Sequence, residues 1–269
     1  MSDQSLSSRY RIGAVPYLNA WPLIDALRDP DRGVNITLDT PSRLTPRLLA
    51  GAFHAALVPS FDFLLHDRLV LLPDLCIGCH GPVESVRLFC RVPMDAVQTV
   101  VADAASRTSV ALVRVLFAER HQRKVEVTSA DDPLASAGAD AVLFIGDRAM
   151  RGIKAVEVMD LGAAWVELTG LPFIFAGWTF REGTDLGDLP HLLRAARDEG
   201  LQHIPDLAAR AETELGFPRA QAERYLSSAI DYMLTDNHRK GLERFAELCA
   251  RHHLLPRIPR VRLYEPQYA

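Results

Sequence analysis

The segment Ser106-Arg107-Thr108-Ser109 places three hydroxyls and a guanidinium at the start of a strongly helical stretch. Thr99 to Ala102, just before it, reads as a strand, so these residues stand at a strand-to-helix junction. Free N–H groups of a first helical turn, the helix dipole and adjacent hydroxyls together suit a carboxylate or a phosphate. Capping by Ser106 or Thr108 is the other reading, since Ser and Thr cap helices routinely. No Gly-x-x-x-x-Gly-Lys occurs, so phosphate is no better supported than carboxylate. Asn19, in the first strand-to-helix loop, and Ser60, at its own helix start, carry the same choice between cap and ligand contact. Ser85 precedes a strand with no Gly-x-Ser-x-Gly around it, which speaks against a hydrolase triad. Asp147, after Phe144-Ile145-Gly146, stands where a carboxylate caps the next helix or orients a ligand. Thr169 can face a cleft from the turn that Gly170 and Pro172 fix.

Metal and cofactor signals are weak. Cys76-Ile77-Gly78-Cys79-His80 has the spacing of covalent haem attachment, but it lies in an apolar, strand-like stretch without a second cysteine pair. The four cysteines are expected to be buried free thiols. The nine histidines form no His-Glu-x-x-His pattern, and no Gly-x-Gly-x-x-Gly marks a dinucleotide site. Neither metal nor organic cofactor is expected. A net charge of −4 gives no general attraction to nucleic acid or anionic membrane. The basic stretch with His252, His253, Arg257, Arg260 and Arg262 lacks interleaved stacking aromatics and reads as a solvated edge. No apolar run approaches the roughly 20 residues of a membrane span. Met1 to Tyr10 is polar and shows no signal-peptide core, so a cytoplasmic location is expected, with no obligate protein partner.

These groups need elements to position them. Arg11 to Val15, Val34 to Leu38, Ala55 to Val58 and Leu69 to Leu72 read as strands, with helices from Pro22 and over Ser42 to Ala50. Ser85 to Arg91, Thr99 to Ala102, Val125 to Thr128, Ala141 to Ile145 and Phe173 to Phe180 continue the strands, and Thr108 to Glu119 is a clear helix. Leu189 to Glu199, Pro205 to Leu215, Pro218 to Leu234 and His238 to His252 read as four amphipathic helices, and Val261 to Tyr264 as a last strand. This order predicts an α/β protein of two lobes, with mainly parallel sheets flanked by helices. Lobe 1 is expected over 1–92 plus 179–269, including the C-terminal helices, and lobe 2 over 93–178. A small anionic ligand then sits between the lobes, at strand carboxyl ends and helix amino ends.

Five segments in order carry a family resemblance. Tyr17-Leu18-Asn19-Ala20-Trp21-Pro22, Val83-Glu84-Ser85-Val86, Ser106-Arg107-Thr108-Ser109, Ile145-Gly146-Asp147 and Thr169-Gly170-Leu171-Pro172-Phe173 resemble the signatures of chorismate dehydratases. The resemblance implies a type II periplasmic-binding-protein-like fold and loss of water from chorismate, giving 3-[(1-carboxyvinyl)oxy]benzoate in the futalosine route to menaquinone, without metal or organic cofactor. It further implies that Asn19 and Ser85 act in catalysis. The carboxylate site falls to Ser106, Arg107, Thr108 and Ser109, and Ser60, Gly146, Asp147 and Thr169 are further substrate-binding candidates. Pro16 departs from the serine more usual in the family, and Val101-Ala102-Asp103 from Ala-Leu-Asp. A non-catalytic binding or sensor protein for a small carboxylate is the alternative, because scaffold alone does not separate the two.

Overall fold

The computed structural model describes residues 9–104, 106–136 and 138–265. Residues 1–8 of the polar amino-terminal stretch, and Ala105 before the Ser106 helix, lie outside the described residues. Apolar runs become strands with helices between them. β1 (Tyr10–Ala14) passes through a 3₁₀ turn (Leu18–Ala20) into α1 (Trp21–Ile24), with Pro22 in its first turn. Then come β2 (Val34–Leu38), α2 (Pro41–Leu49), β3 (Ala55–Pro59), α3 (Ser60–Leu65) and β4 (Leu69–Cys79). The middle of the chain holds β5 (Val86–Cys90), β6 (Thr99–Asp103), α4 (Arg107–His121), β7 (Glu126–Ala130) and β8 (Ala141–Ile145). It continues with α5 (Gly146–Arg151), β9 (Glu157–Asp160) and α6 (Leu161–Thr169). β10 (Phe173–Arg181) leads to α7 (Leu189–Gln202), α8 (Ile204–Leu215), α9 (Arg219–Arg224), a π-helical turn (Tyr225–Ala229) and α10 (Asp236–Arg251).

The strands form two five-stranded sheets, ordered β2-β1-β3-β10-β4 and β7-β6-β8-β5-β9. In each, the crossing strand alone runs against its neighbours: β10 is antiparallel to β3 and β4, and β5 to β8 and β9. The remaining strands all point one way, as a mainly parallel, two-lobed fold requires. The chain changes sheet between Cys79 and Val86, and again between Asp160 and Phe173. Both crossings precede the boundaries expected near 92 and 178, because Val86–Cys90 already pairs in the second sheet and Phe173–Arg181 lies wholly in the first.

Two other expectations change. The single helix read over Pro218 to Leu234 widens at Tyr225–Ala229 and stops at Ile230, which is extended. There the Asp231 N–H donates to the Gly78 carbonyl at 2.8 Å and Gly78 N–H returns the bond at 2.9 Å, so pairing with β4 replaces helix propagation. The Val261 to Tyr264 segment returns to the first sheet through one parallel bridge, Leu71 to Leu263.

The core joins the C-terminal helices to the second crossing. Trp165, Phe173 and Phe245 meet with ring centroids 5.0 to 6.0 Å apart, and each such buried ring contributes about 1.5–3 kcal/mol. Gly241 lets α10 lie directly on the chain, since a Cβ there would come within 2.0 Å of the Pro172 carbonyl oxygen. Among the described residues no helix is long and apolar enough to cross a membrane.

Candidate active site

A cavity opens where the loops after β1, β3, β6 and β8 converge, the place where a two-lobed α/β fold receives a small ligand. Val15, Leu57, Ile77, Val83, Val86, Ile145 and Phe175 make most of its wall apolar. The polar groups are few: Tyr17, Asn19, Ser85 and the run from Ser106 to Ser109. Among the described lining residues there is no carboxylate and no imidazole.

Three oxygens define the site. Asn19 Oδ1, Ser85 Oγ and Ser106 Oγ are buried, line this one cavity and accept or donate no well-formed hydrogen bond within the protein. Buried polar atoms are otherwise nearly always paired, so three orphans around one apolar space mark it as the candidate site. Two of them are not spent on capping. Ser106 is the N-cap of α4, yet its hydroxyl makes no capping bond. Asn19 lies inside the 3₁₀ turn before α1 and caps nothing.

Neighbouring residues fix these three. Asp160, the N-cap of α6, takes the Gly162 and Ala163 N–H groups at 3.0 and 3.1 Å, and with its two oxygens also the Val83 and Glu84 N–H groups at 2.9 and 2.7 Å. That clasp holds the loop in which Glu84 takes the left-handed conformation (φ 60°) and Ser85 points inward, fully buried. Gly146, at φ 58°, leaves room for the Tyr17 ring, which a Cβ there would meet at 2.9 Å. The Leu18 N–H donates to Asp147 Oδ1 at 3.2 Å, tying the Asn19 turn to the opposite lobe. Burial raises the Asp147 carboxyl above its ordinary value, opposed by the Leu18 bond and Arg151. Burial, with Asp103 and Asp147 adding, pushes the Tyr17 phenol up to about 12, so it stays protonated.

The other candidates do structural work around the cavity. Ser60 Oγ donates to the Ile174 carbonyl at 2.6 Å, pinning α3 to β10. Thr108 Oγ1 accepts from the Phe61 N–H at 3.1 Å and donates to the Phe175 carbonyl at 3.3 Å, so it bridges the lobes while lining the space. Arg107 forms an ion pair with buried Asp62 at 2.5 Å, and Thr45 donates to the other Asp62 oxygen at 2.8 Å. Thr169 is absorbed by its own turn, donating to the Trp165 carbonyl and accepting from the Leu171 N–H. It does not reach the lining. Cys76 and Cys79 lie buried on β4, where burial pushes the Cys79 thiol up to about 12 and Cys76 well up, so neither is a reactive thiolate. Asp160 was readable from the sequence, as an Asp directly before the apolar run Leu161-Gly162-Ala163-Ala164.

The chain as a whole is similar to known proteins. The model of the menaquinone biosynthesis family matches residues 10–251. The chain belongs to that family. It is 34% identical over 266 residues to the chorismate dehydratase of Thermus thermophilus, covering 88% of this chain and 94% of the relative. Among solved structures, protein AF1704 of Archaeoglobus fulgidus superposes with a TM-score of 0.72 at 15% identity, over 91% of this chain and 98% of that one. The CA3427 product of Candida albicans, described as having the generic periplasmic binding protein fold, gives 0.60 at 10% identity, over 96% and 98%. These two likenesses establish the periplasmic-binding-protein-like fold of this family member.

Proposed function

We propose that this chain is a chorismate dehydratase, a hydro-lyase of menaquinone biosynthesis working without a cofactor in the cytoplasm. The observation that carries this reading is the set of three unpartnered oxygens, from both lobes, in an apolar cavity with no acidic or imidazole side chain. Family membership and the Thermus relative support the same reading.

Chorismate carries two carboxylates, a ring hydroxyl and an acidified ring proton on the carbon bearing the enolpyruvyl ether. Removing that proton lets its electron pair form a ring double bond as the neighbouring C–O bond breaks. The departing hydroxide takes a proton and leaves as water, and the ring becomes aromatic. Aromatisation drives the reaction, so the protein's work is to hold a dianion in a reactive conformation and to assist one proton transfer. With no side-chain base on the lining, the enolpyruvyl carboxylate of the substrate itself takes the proton. Asn19 and Ser85 orient that carboxylate and hydrogen-bond the leaving hydroxyl. The first turn of α4, with Ser106 and Ser109, receives a substrate carboxylate on its N–H groups and dipole. Thr108, Arg107, Ser60, Gly146 and Asp147 act behind these contacts by fixing the walls.

Incubating the purified protein with chorismate tests this. A product lighter by one water, with the ultraviolet spectrum of a substituted benzoate, is expected. Chorismate recovered unchanged, but stabilising the protein against heat, would replace the enzyme with a binding protein of the same fold.

A further inference from the structure

Tyr17 lines the cavity with Asn19 and Ser85 but has no part in the proton transfer. Its loop follows β1 of the first sheet, and its backbone is tied down on the spot. The Tyr17 carbonyl accepts the Ala20 N–H at 3.0 Å, and the next N–H, that of Leu18, reaches Asp147 of the second lobe at 3.2 Å. The ring leans the same way. Its Cδ1, Cγ and Cε1 atoms would stand 2.9, 3.0 and 3.3 Å from a Cβ on Gly146, the residue that opens α5. Glycine at φ 58° has no such atom, so the ring lies close against the backbone of the opposite lobe. Two neighbouring residues of one lobe thus meet two neighbouring residues of the other, and the ring forms the cavity wall at that seam.

We propose that the Tyr17 ring, seated on Gly146, is the wall against which the substrate's own ring binds, and so sets its affinity; this rests on the dehydratase reading. Tyr17 and Phe175 are the two aromatic side chains among the described lining residues. Phe175 belongs to the core, edge-on to Phe173 with centroids 4.7 Å apart, whereas Tyr17 comes from a loop. An aromatic side chain offers a broad apolar surface, and a six-membered ring laid on it buries that area at once. The Tyr17 phenol stays protonated, so this wall carries no negative charge toward a dianion. The substrate's ring keeps its place while the proton and the hydroxyl depart, so the contact is made equally in the ground and transition states. Such uniform binding shows in KM and not in kcat.

Steady-state turnover of chorismate tests this. Tyr17→Ala removes the whole ring and is expected to raise KM at least about tenfold, with kcat changed less than about threefold. Tyr17→Phe keeps the ring and is expected to rescue KM to within about threefold of wild type. Gly146→Ala pushes the ring aside and is expected to raise KM about tenfold when Tyr17 is present. In the Tyr17→Ala background, where the atoms that the new Cβ meets are gone, the further rise is expected to be less than about twofold. The left-handed backbone at residue 146 lowers Tm for Gly146→Ala in both backgrounds alike, which separates that strain from the effect on binding. Wild-type KM in Tyr17→Ala, a loss confined to kcat, the same rise in Tyr17→Phe, or equal rises from Gly146→Ala in both backgrounds would overturn the role of the ring while leaving the dehydratase reading intact. A wild-type protein that leaves chorismate untouched overturns both.

Discussion

Asp147 and Leu18 meet across the cleft: the carboxylate at the start of α5 accepts the backbone N–H of the turn after β1 at 3.2 Å. The contact joins the second lobe to the residue next to Asn19, so the position of a candidate catalytic amide depends on a half-buried acid 129 residues beyond Leu18.

That acid makes stability depend on pH in a stated direction. Burial raises the Asp147 pKa in the folded protein, while an unfolded Asp titrates near about 3.9. The folded state therefore holds the proton more tightly, and stability falls as pH rises from the unfolded value through the raised one. Asp147→Asn keeps an acceptor for Leu18 and abolishes the titration. The variant is expected to gain in Tm relative to wild type as pH rises above the unfolded value of about 3.9. A difference in Tm that stays constant over this range would show that Asp147 does not titrate there.

Asn19→Asp and Ser85→Ala change the two groups assigned to the reacting end of the substrate. Each is expected to lower kcat by about 10²-fold, the usual effect of losing one preorganised hydrogen bond at a charged transition state, with the circular dichroism unchanged. Full kcat in both variants would remove them from the mechanism.

Asp160→Ala frees four backbone N–H groups at once, two in α6 and two in the Val83-Glu84 loop. Loss of the cap alone costs about 1–2 kcal/mol, read as a lower midpoint in urea. Because Ser85 follows that loop, kcat is expected to fall as well, and Asp160→Asn to fall between the two. Stability lost with kcat preserved would mean that the clasp does not set Ser85.

Arg107→Ala leaves Asp62, whose side chain is 4% exposed, with Thr45 as its remaining polar partner. Stranding one member of a fully buried pair costs about 3–5 kcal/mol. The Arg107 side chain is 46% exposed, so about 2 kcal/mol is expected here. Adding Asp62→Asn should recover part of it in a urea melt. Equal and additive losses would show that the pair is not coupled.

The strands and the site loops were legible wherever local signals agreed with the fold. Ala141–Ile145 and Ala55–Pro59 are apolar throughout because both faces of a parallel sheet are covered. The Ser106 to Ser109 junction was visible from a strand followed by strong helical periodicity. β9 was not, because Glu157 and Val158 are exposed and only Met159 is buried, which gives an edge strand no alternation to read. Nor was the break after Tyr225, since the pairing of Asp231 with Gly78 that ends the helix is made by residues far apart in sequence. Thr169 was read toward the cleft from its turn, whereas its hydroxyl is used up within four residues of itself.

The placement of β10 also dictates an order of assembly as the chain leaves the ribosome. All five strands of the second sheet come from the continuous stretch 86–160, so that lobe can close as soon as it is made. The first sheet cannot. β3 and β4 are both available by residue 79, but the strand that must lie between them is not synthesised until 173–181. Until then each offers an unpaired apolar edge, the kind that chaperones cover and that misfolds readily when translation pauses. The lobe begun first is completed last, and the nascent chain is most vulnerable while residues 80–172 are being added.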